Sequence, residues 1–283
     1  MKAFYERSGV SRQAHQQWLR SHESKKLVLF RIIEEINFYR SKFDHRAGSR
    51  TLFYNLKIKE RYDIGVNKFE QLLSREGLSL PVNRVRVITT KSSMQSWNYK
   101  NLILGLTITG INQVIVGDIS YNYHKGEKYY FFSCIDVYSG RVIGWNFDRN
   151  MKSERAVEVL DMAVECRGAL ELVNAIHHTD GGGQYFSRLF IELASMLGLR
   201  MSRARNCLEN GHAEQFNGYF KHHIMPLVKS TSVRGIKREI EKCIHHYNFK
   251  RKQEGLGWLS PVEFEIEQSN RTNPTEIKLH NFD

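Results

Sequence analysis

Nowhere in this sequence do apolar residues run for the ~20 positions a membrane span needs. The longest such stretches, as around YYFFSCIDV, stop far short. The polar, charged start lacks the apolar core of a secretory leader, so we expect a cytoplasmic protein with no membrane partner. Cysteine is scarce: four residues, at 134, 166, 207 and 243, with no C-x-x-C spacing. That excludes a zinc ribbon or a disulfide scaffold and reads as buried, reduced thiols. Histidine offers no other metal cage. The pairs His177/His178, His222/His223 and His245/His246 are adjacent, and adjacent side chains diverge on helix and strand alike. No internal repeat occurs, and no low-complexity segment beyond the polar tail from Gln268.

Acidic residues are also scarce in the first third. Residues 1–110 carry 20 Lys/Arg against 9 Asp/Glu, residues 111–223 carry 12 against 13, and residues 224–283 carry 10 against 8. The net charge of +12 is thus concentrated at the N-terminal end. A basic module joined to a neutral middle points to a polyanion partner, with a merely solvated basic surface as the alternative.

The pattern of the basic third is helical. Ser11 is placed to cap a helix carrying Trp18 and Leu19. Leu29, Ile32, Ile33, Ile36 and Phe38 recur at helical spacing. Further helices are expected near 48–60 and 66–76, the latter closed by Gly77. Residues 81–109 show little period and read as a linker. From 111 the period changes. INQVIVGDIS reads as a buried strand ending at Asp118, and KYYFFSCIDVYSGRVIGWNFD as two strands turning at Ser139-Gly140. SERAVEVLDMAVECRGA is an amphipathic helix with Ala156, Val159, Leu160, Ala163 and Val164 on one face. LVNAIHHTD is a strand that ends on an aspartate. SRLFIELASMLGLR is a helix, MSRARNC a short basic strand or loop, and HAEQFNGYFKHHIM a helix. Strands interleaved with helices imply a mixed α/β sheet flanked by helices.

Asp118 and Asp180 both stand where a predicted strand leaves the sheet, the edge at which open α/β sheets bind ligands. Glu214, on a helix 34 positions after Asp180, can supply a third carboxylate. One acidic residue is ordinarily a solubilising surface charge. Three brought together would repel unless a hard divalent cation lay between them, and Mg²⁺ prefers such oxygen ligands. The glycines of HHTDGGGQYFS lack the trailing Lys-Ser/Thr of a nucleotide loop. We read them as keeping side chains away from Asp180. His178 is placed to line the same cleft, Asp136 reads as structural, and Trp97 and Trp258 read as packing anchors.

QVIVGDISY, YYFFSCIDVYSGRVIGW, HHTDGGGQYFS and NCLENGHAEQFNGYFK, in that order, resemble the catalytic-core signatures of bacterial insertion-sequence transposases. The group is the second-reading-frame type, whose core is retroviral-integrase-like and ribonuclease-H-like. YNFKRKQEGLGWLSP resembles that group's C-terminal motif, with Gln253 where the family has histidine. GSRTLFYNL and VNKFEQLLSREGL resemble its helix-turn-helix-like region more loosely. The resemblance covers about residues 45–265.

It implies a basic helical DNA-binding region at 1–80, a linker at 81–109, an integrase core at 110–225, a helical extension at 226–270 and a polar tail at 271–283. It implies that Asp118, Asp180 and Glu214 are catalytic and hold Mg²⁺, with Mn²⁺ as a substitute. Between Asp180 and Glu214 lie 33 residues, two fewer than is usual in the family, and Glu209 is the rival third acid. Expected DNA contacts are Lys221, which seven positions place on the helical face of Glu214, with Arg203, Arg205, Asn210, Arg12, Arg50 and Lys68. Asn206 belongs to the same polar loop as Asn210. The implied partners are terminal inverted repeats, target DNA, further copies of the chain on paired ends, and an upstream helix-turn-helix reading-frame product or its frameshift fusion. The implied place of action is the cytoplasm, at the nucleoid when DNA is bound. Two other readings stay open: a catalytically idle DNA-binding remnant, and a ribonuclease-H-like nuclease without strand transfer.

Overall fold

The computed structural model describes residues 9–81, 99–204 and 207–279, which places Trp97, Arg205 and Asn206 outside the described residues. The chain divides into two compact units, one of residues up to 42 and 47–79, the other of 43–46 and 80 onward.

The first unit is all helix. α1 (Arg12–Lys42) is one continuous helix, and the Ser11 hydroxyl accepts the Ala14 N–H at 3.1 Å, as its capping chemistry predicts. Only its C-terminal turns are buried, through Ile32, Ile36 and Tyr39. Phe38, expected inward, is 58% exposed while Tyr39 takes the inward position. α2 (Ser49–Asn55), α3 (Ile58–Tyr62) and α4 (Val66–Arg75) bury Leu52, Phe53, Ile58, Phe69 and Leu73. Arg61 and Tyr62 clasp Glu35 of α1, the tyrosine hydroxyl donating at 2.9 Å.

The second unit holds a five-stranded sheet in the order β4-β3-β2-β5-β6. β2 (Val114–His124), β3 (Glu127–Asp136) and β4 (Val142–Asp148) form an antiparallel meander. β5 (Ile176–Thr179) joins β2 in parallel, and β6 (Arg200–Arg203) joins β5 in parallel. This mixed sheet flanked by helices is the ribonuclease-H-like arrangement. α5 (Ser153–Arg167) and α6 (Arg188–Met196) cover one face, burying Ala156, Val159, Leu160, Ala163, Phe190 and Ala194 against Ile115, Phe132 and Ile143. α7 (Gly211–Tyr219) and α8 (Val233–Phe249) cover the other, with Phe216, Phe220, Ile236 and Ile240 against Val114, Val116 and Phe131. Alternation along β2 explains the division: even positions face α7, odd positions face α5.

Two expectations change here. β2 does not end at Asp118 but continues to His124, because β3 still pairs with it after β5 has stopped. The segments expected as a linker and a polar tail each supply a strand: β1 (Thr107–Ile108) pairs with β7 (Ile277–Lys278). The α7-side core runs from Ile103 to Leu279.

Beneath α9 (Pro261–Ser269) lies a buried ion cluster. Arg167 reaches Asp136 at 3.3 Å and also clasps Glu265, which accepts Arg141 at 2.7 Å and Ser139 Oγ at 2.7 Å. Asp136 further accepts the N–H groups of Asn112 and Tyr138, a structural role as expected. Burial pushes Asp136 up to about 6 despite Arg167 beside it. Breaking such a cluster leaves a buried charge without its partner. Arg167→Ala is therefore expected to cost about 3–5 kcal/mol, read as a lower urea midpoint for the second unit.

Candidate active site

The site is built on the register between two parallel strands. Gly117 of β2 pairs with Thr179, the last residue of β5. The next residue on each strand is Asp118 and Asp180, so the two carboxylates emerge side by side at the carboxyl end of the pair. The close packing depends on Gly117: a Cβ there would lie 3.0 Å from the Tyr185 ring and 3.1 Å from His177.

α7 brings Glu214 to the same cleft. Burial and the nearby Asp180 raise its pKa. Burial of the Asp118 carboxyl, then Asp180, push Asp118 up to about 7, with Glu214 adding a smaller contribution. Sequence reasoning missed Asn217, whose amide donates to Asp118 Oδ2 at 2.6 Å and opposes that rise. It lies three positions after Glu214, hence on the same helical face, and that spacing was the available signal.

Asp180 Oδ1 accepts the Gly182 N–H at 3.0 Å, turning the chain sharply after β5. Gly181 has φ +89°, and a Cβ on it would stand 2.4 Å from Arg203 Nε. The glycine is thus needed for the left-handed turn and for the arginine packed over it.

Glu214 is set by the turn Cys207–Asn210, which leads straight into α7. His178 is fully buried and held down to about 4 by that burial, so it is neutral near pH 7. Its Nε2 lies 3.2 Å from the Glu209 carbonyl and must donate there. Its Nδ1 then accepts the Ser202 hydroxyl at 2.8 Å. Asn210 donates to the Gly117 carbonyl at 3.3 Å, and Asn101 donates to Glu209 Oε2 at 2.6 Å. One tether thus runs to the backbone beside Asp118, and another to the strand that ends at Asp180.

These contacts locate three of the residues singled out in the sequence. His178 does not line the cleft but braces the turn. Asn210, expected on DNA, is 2% exposed and directed inward. Glu209 is 7% exposed, its carboxylate and carbonyl both engaged by the fold.

Lys221 lies at the start of a π-turn, Phe220–Ile224, that follows the helix of Glu214. The Lys221 ammonium lies 5.5 Å from the centre of the Tyr121 ring. Arg203 sits beside Gly181, one residue from Asp180. Arg12, Arg50 and Lys68 are exposed on the helical unit, Arg50 reaching Glu70 at 3.3 Å. Of the cysteines, Cys134 and Cys243 are buried free thiols as expected, whereas Cys166 is exposed.

The C-terminal motif is structural. Asn248 pairs with both backbone groups of Val142 on β4, at 3.0 and 2.8 Å. Arg251 lies over the Tyr219 ring and donates to the buried Asp44 at 2.9 Å. Gln253 bridges to Leu259 through its backbone.

Among the described residues, no three His, Cys, Asp or Glu side chains converge closely enough to form a ready-made metal cage. The donor chemistry nonetheless fits a hard divalent ion. All three acidic groups offer oxygen, and none is ion-paired with Lys or Arg among the described residues, so like charge stays uncompensated.

A sheet of this order, with an acidic residue directly after the last parallel rung on both β2 and β5, defines an integrase-type core. Residues 109–207 match the family described as Integrase core domain, and residues 196–261 match a second family of that description. The chain is 30% identical over 243 residues to the transposase InsF for insertion sequence IS3A of Escherichia coli K12, covering 81% of this chain and 79% of that protein. It is 30% identical over 160 residues to the transposase for insertion sequence element IS904 of Lactococcus lactis, covering 56% and 62%. The chain therefore belongs to the insertion-sequence transposase family with an integrase core. It spans just over half, 58%, of its relative from insertion sequence element IS986/IS6110 of Mycobacterium tuberculosis. The HTLV-2 integrase catalytic core domain, solved with magnesium, overlays at a TM-score of 0.45 with 17% identity, covering 59% of this chain and 99% of that one. Among the described residues, no helix is long and apolar enough to cross a membrane.

The raised Asp118 makes a prediction about stability. Folding binds its proton more tightly than the unfolded chain does, so its charge costs stability progressively from about pH 4 to about pH 7. In metal-free buffer at pH 8, Asp118→Asn is expected to raise the thermal midpoint by at least ~3 °C, roughly what 1 kcal/mol produces at this size. At pH 4 the gain should vanish. Equal midpoints at pH 8 would show that the carboxyl is not raised.

Proposed function

We propose that the protein is a DNA transposase that binds insertion-sequence ends, cleaves at the 3′ end of the element and joins the freed end to target DNA. The observation that carries this reading is the adjacent placing of Asp118 and Asp180 after the last rung of β2 with β5, with Glu214 of α7 near enough to be raised by Asp180, in a chain of the insertion-sequence transposase family. Magnesium, with manganese as a substitute, would be held by these three residues and would supply charge stabilisation at the reacting phosphodiester. The chain's own residues do the rest. Asn217 orients Asp118, and the turn tethered by His178 and Asn210 aims Glu214. Lys221 contributes a phosphate contact at the cleft, and Arg203 a charge beside Asp180. Cleavage and joining are both in-line phosphoryl transfers, so one site serves both without a covalent enzyme intermediate.

The exposed Arg12, Arg50 and Lys68 are the proposed contacts to terminal inverted repeats, as is Arg205 of the core. Phosphate contacts of this kind make binding fall steeply with salt. Pairing two ends calls for more than one copy of the chain, and an upstream helix-turn-helix reading-frame product, or its frameshift fusion, is the proposed partner. The cytoplasmic nucleoid is the proposed site of action.

The test is a cleavage-and-joining assay on terminal-repeat DNA with Mg²⁺ and the upstream product supplied. Asp118→Asn, Asp180→Asn and Glu214→Gln are each expected to lower both steps by roughly three orders of magnitude. Cleavage without joining in the wild type would favour a nuclease, and binding without cleavage an idle remnant. Activity in Glu214→Gln together with its loss in Glu209→Gln would move the third ligand to Glu209. Asn217→Ala removes a hydrogen bond that lowers Asp118, so the pH midpoint of the remaining activity should shift upward.

A further inference from the structure

Past Gly117, β2 has no strand partner on its β5 side among the described residues, and its last seven residues extend with β3 as a hairpin beyond the five-stranded sheet. Two large rings stand out there, Tyr121 at 56% and Tyr123 at 67% exposure, set edge to face with centroids 6.2 Å apart. Neither is part of the core. Lys128 on β3 places its ammonium 5.2 Å from the Tyr121 centre and 5.1 Å from that of Tyr130, and Lys221 approaches Tyr121 at 5.5 Å. Among the described residues neither lysine is ion-paired with a carboxylate. Two ammonium groups within 5.5 Å of one ring centre make this edge locally cationic, which a polyanion would complement.

The hairpin is braced rather than free. His124 Nε2 meets the Ser230 carbonyl at 2.7 Å, and Lys125 Nζ donates to the Lys229 carbonyl. Lys221 follows the helix that packs on the Asp118 face of β2, so its reach to Tyr121 joins that face to the ring at the open edge. With about 3.3 Å per strand residue, Tyr121 lies about 10 Å and Tyr123 about 17 Å along the strand from Asp118. At 3.4 Å per nucleotide these are roughly three and five nucleotides.

We propose that this hairpin edge is a platform for unpaired DNA flanking the reacting phosphodiester, with Lys128 and Lys221 holding a backbone phosphate over Tyr121 and Tyr123 stacking on a base. The platform rests on the transposase reading for its substrate, but its chemistry selects single strands by itself. Bases in a duplex are already stacked on one another, whereas unpaired bases stack readily on an exposed ring.

The test measures binding of the full chain, without metal, to fluorescein-labelled oligo(dT) of about 20 nucleotides and to a mixed-sequence duplex of equal length. Tyr123→Ala is expected to weaken oligo(dT) binding about tenfold while duplex binding changes by less than about twofold, and Tyr123→Phe should restore it. Lys128→Ala should weaken oligo(dT) binding and flatten its salt dependence by about one ion. Equal losses on both DNAs, or no loss with Tyr123→Ala, would overturn the platform. So would a change in oligomeric state at unaltered DNA affinity, which would assign the edge to a second copy of the chain. Because no cleavage enters this readout, selective loss in Tyr123→Ala beside an inactive wild-type chain would sustain the platform while removing the transposase reading.

Discussion

The parallel pairing of β2 with β5 is the constraint on which the rest of the catalytic unit depends. Its last rung, Gly117 against Thr179, sets Asp118 and Asp180 next to each other, where burial and like charge make Asp118 costly to ionise. A side chain at position 117 would press on Tyr185 and His177, which lie 3.0 and 3.1 Å from where its Cβ would stand. The same rung supplies the carbonyl that receives Asn210. A slip of one residue would turn Asp118 toward the α5 face and strand the α7 face without its carboxylate.

Around that rung the molecule uses neutral, buried hydrogen-bonding groups instead of cations. His178, Ser202, Asn101 and Asn210 tie down the turn before α7, and Asn217 meets Asp118 directly. A lysine or arginine in any of these places would bring a positive charge next to the acidic cleft. The cations are kept one step away, with Arg203 over Gly181 and Lys221 over Tyr121. The buried charges of the unit are paired among themselves elsewhere, in the Asp136–Arg167–Glu265–Arg141 cluster and at Asp44 with Arg251 and His223. Burial alone would raise Asp44, but the hydrogen bonds and charges of His223 and Arg251 hold it below the usual carboxylate range.

Much of this was legible in the residues because its cause is local. Ser11 as a cap, the turn at Ser139-Gly140, and the buried face Ala156, Val159, Leu160 and Ala163 follow from periods and capping chemistry within one element. Asp180 after β5 was legible too, because the apolar run ends there. Asp118 was misread as a strand end because an apolar-to-polar change looks the same whether a strand stops or merely loses one neighbour. His178 was taken for a cleft residue because polarity near a strand end says nothing about which way a side chain points.

By itself, the sequence determined the element types, the basic helical third, the mixed sheet and the place of Asp180 just past a strand, since each depends on residue types at short range. Only the tertiary structure decided that Asn217 answers Asp118, that His178 braces a turn, and that Tyr121 and Tyr123 stand beside an open strand edge. Those outcomes depend on strand register and helix phase, which bring together residues about a hundred positions apart, as Asp118 and Asn217 are. No local pattern encodes that meeting.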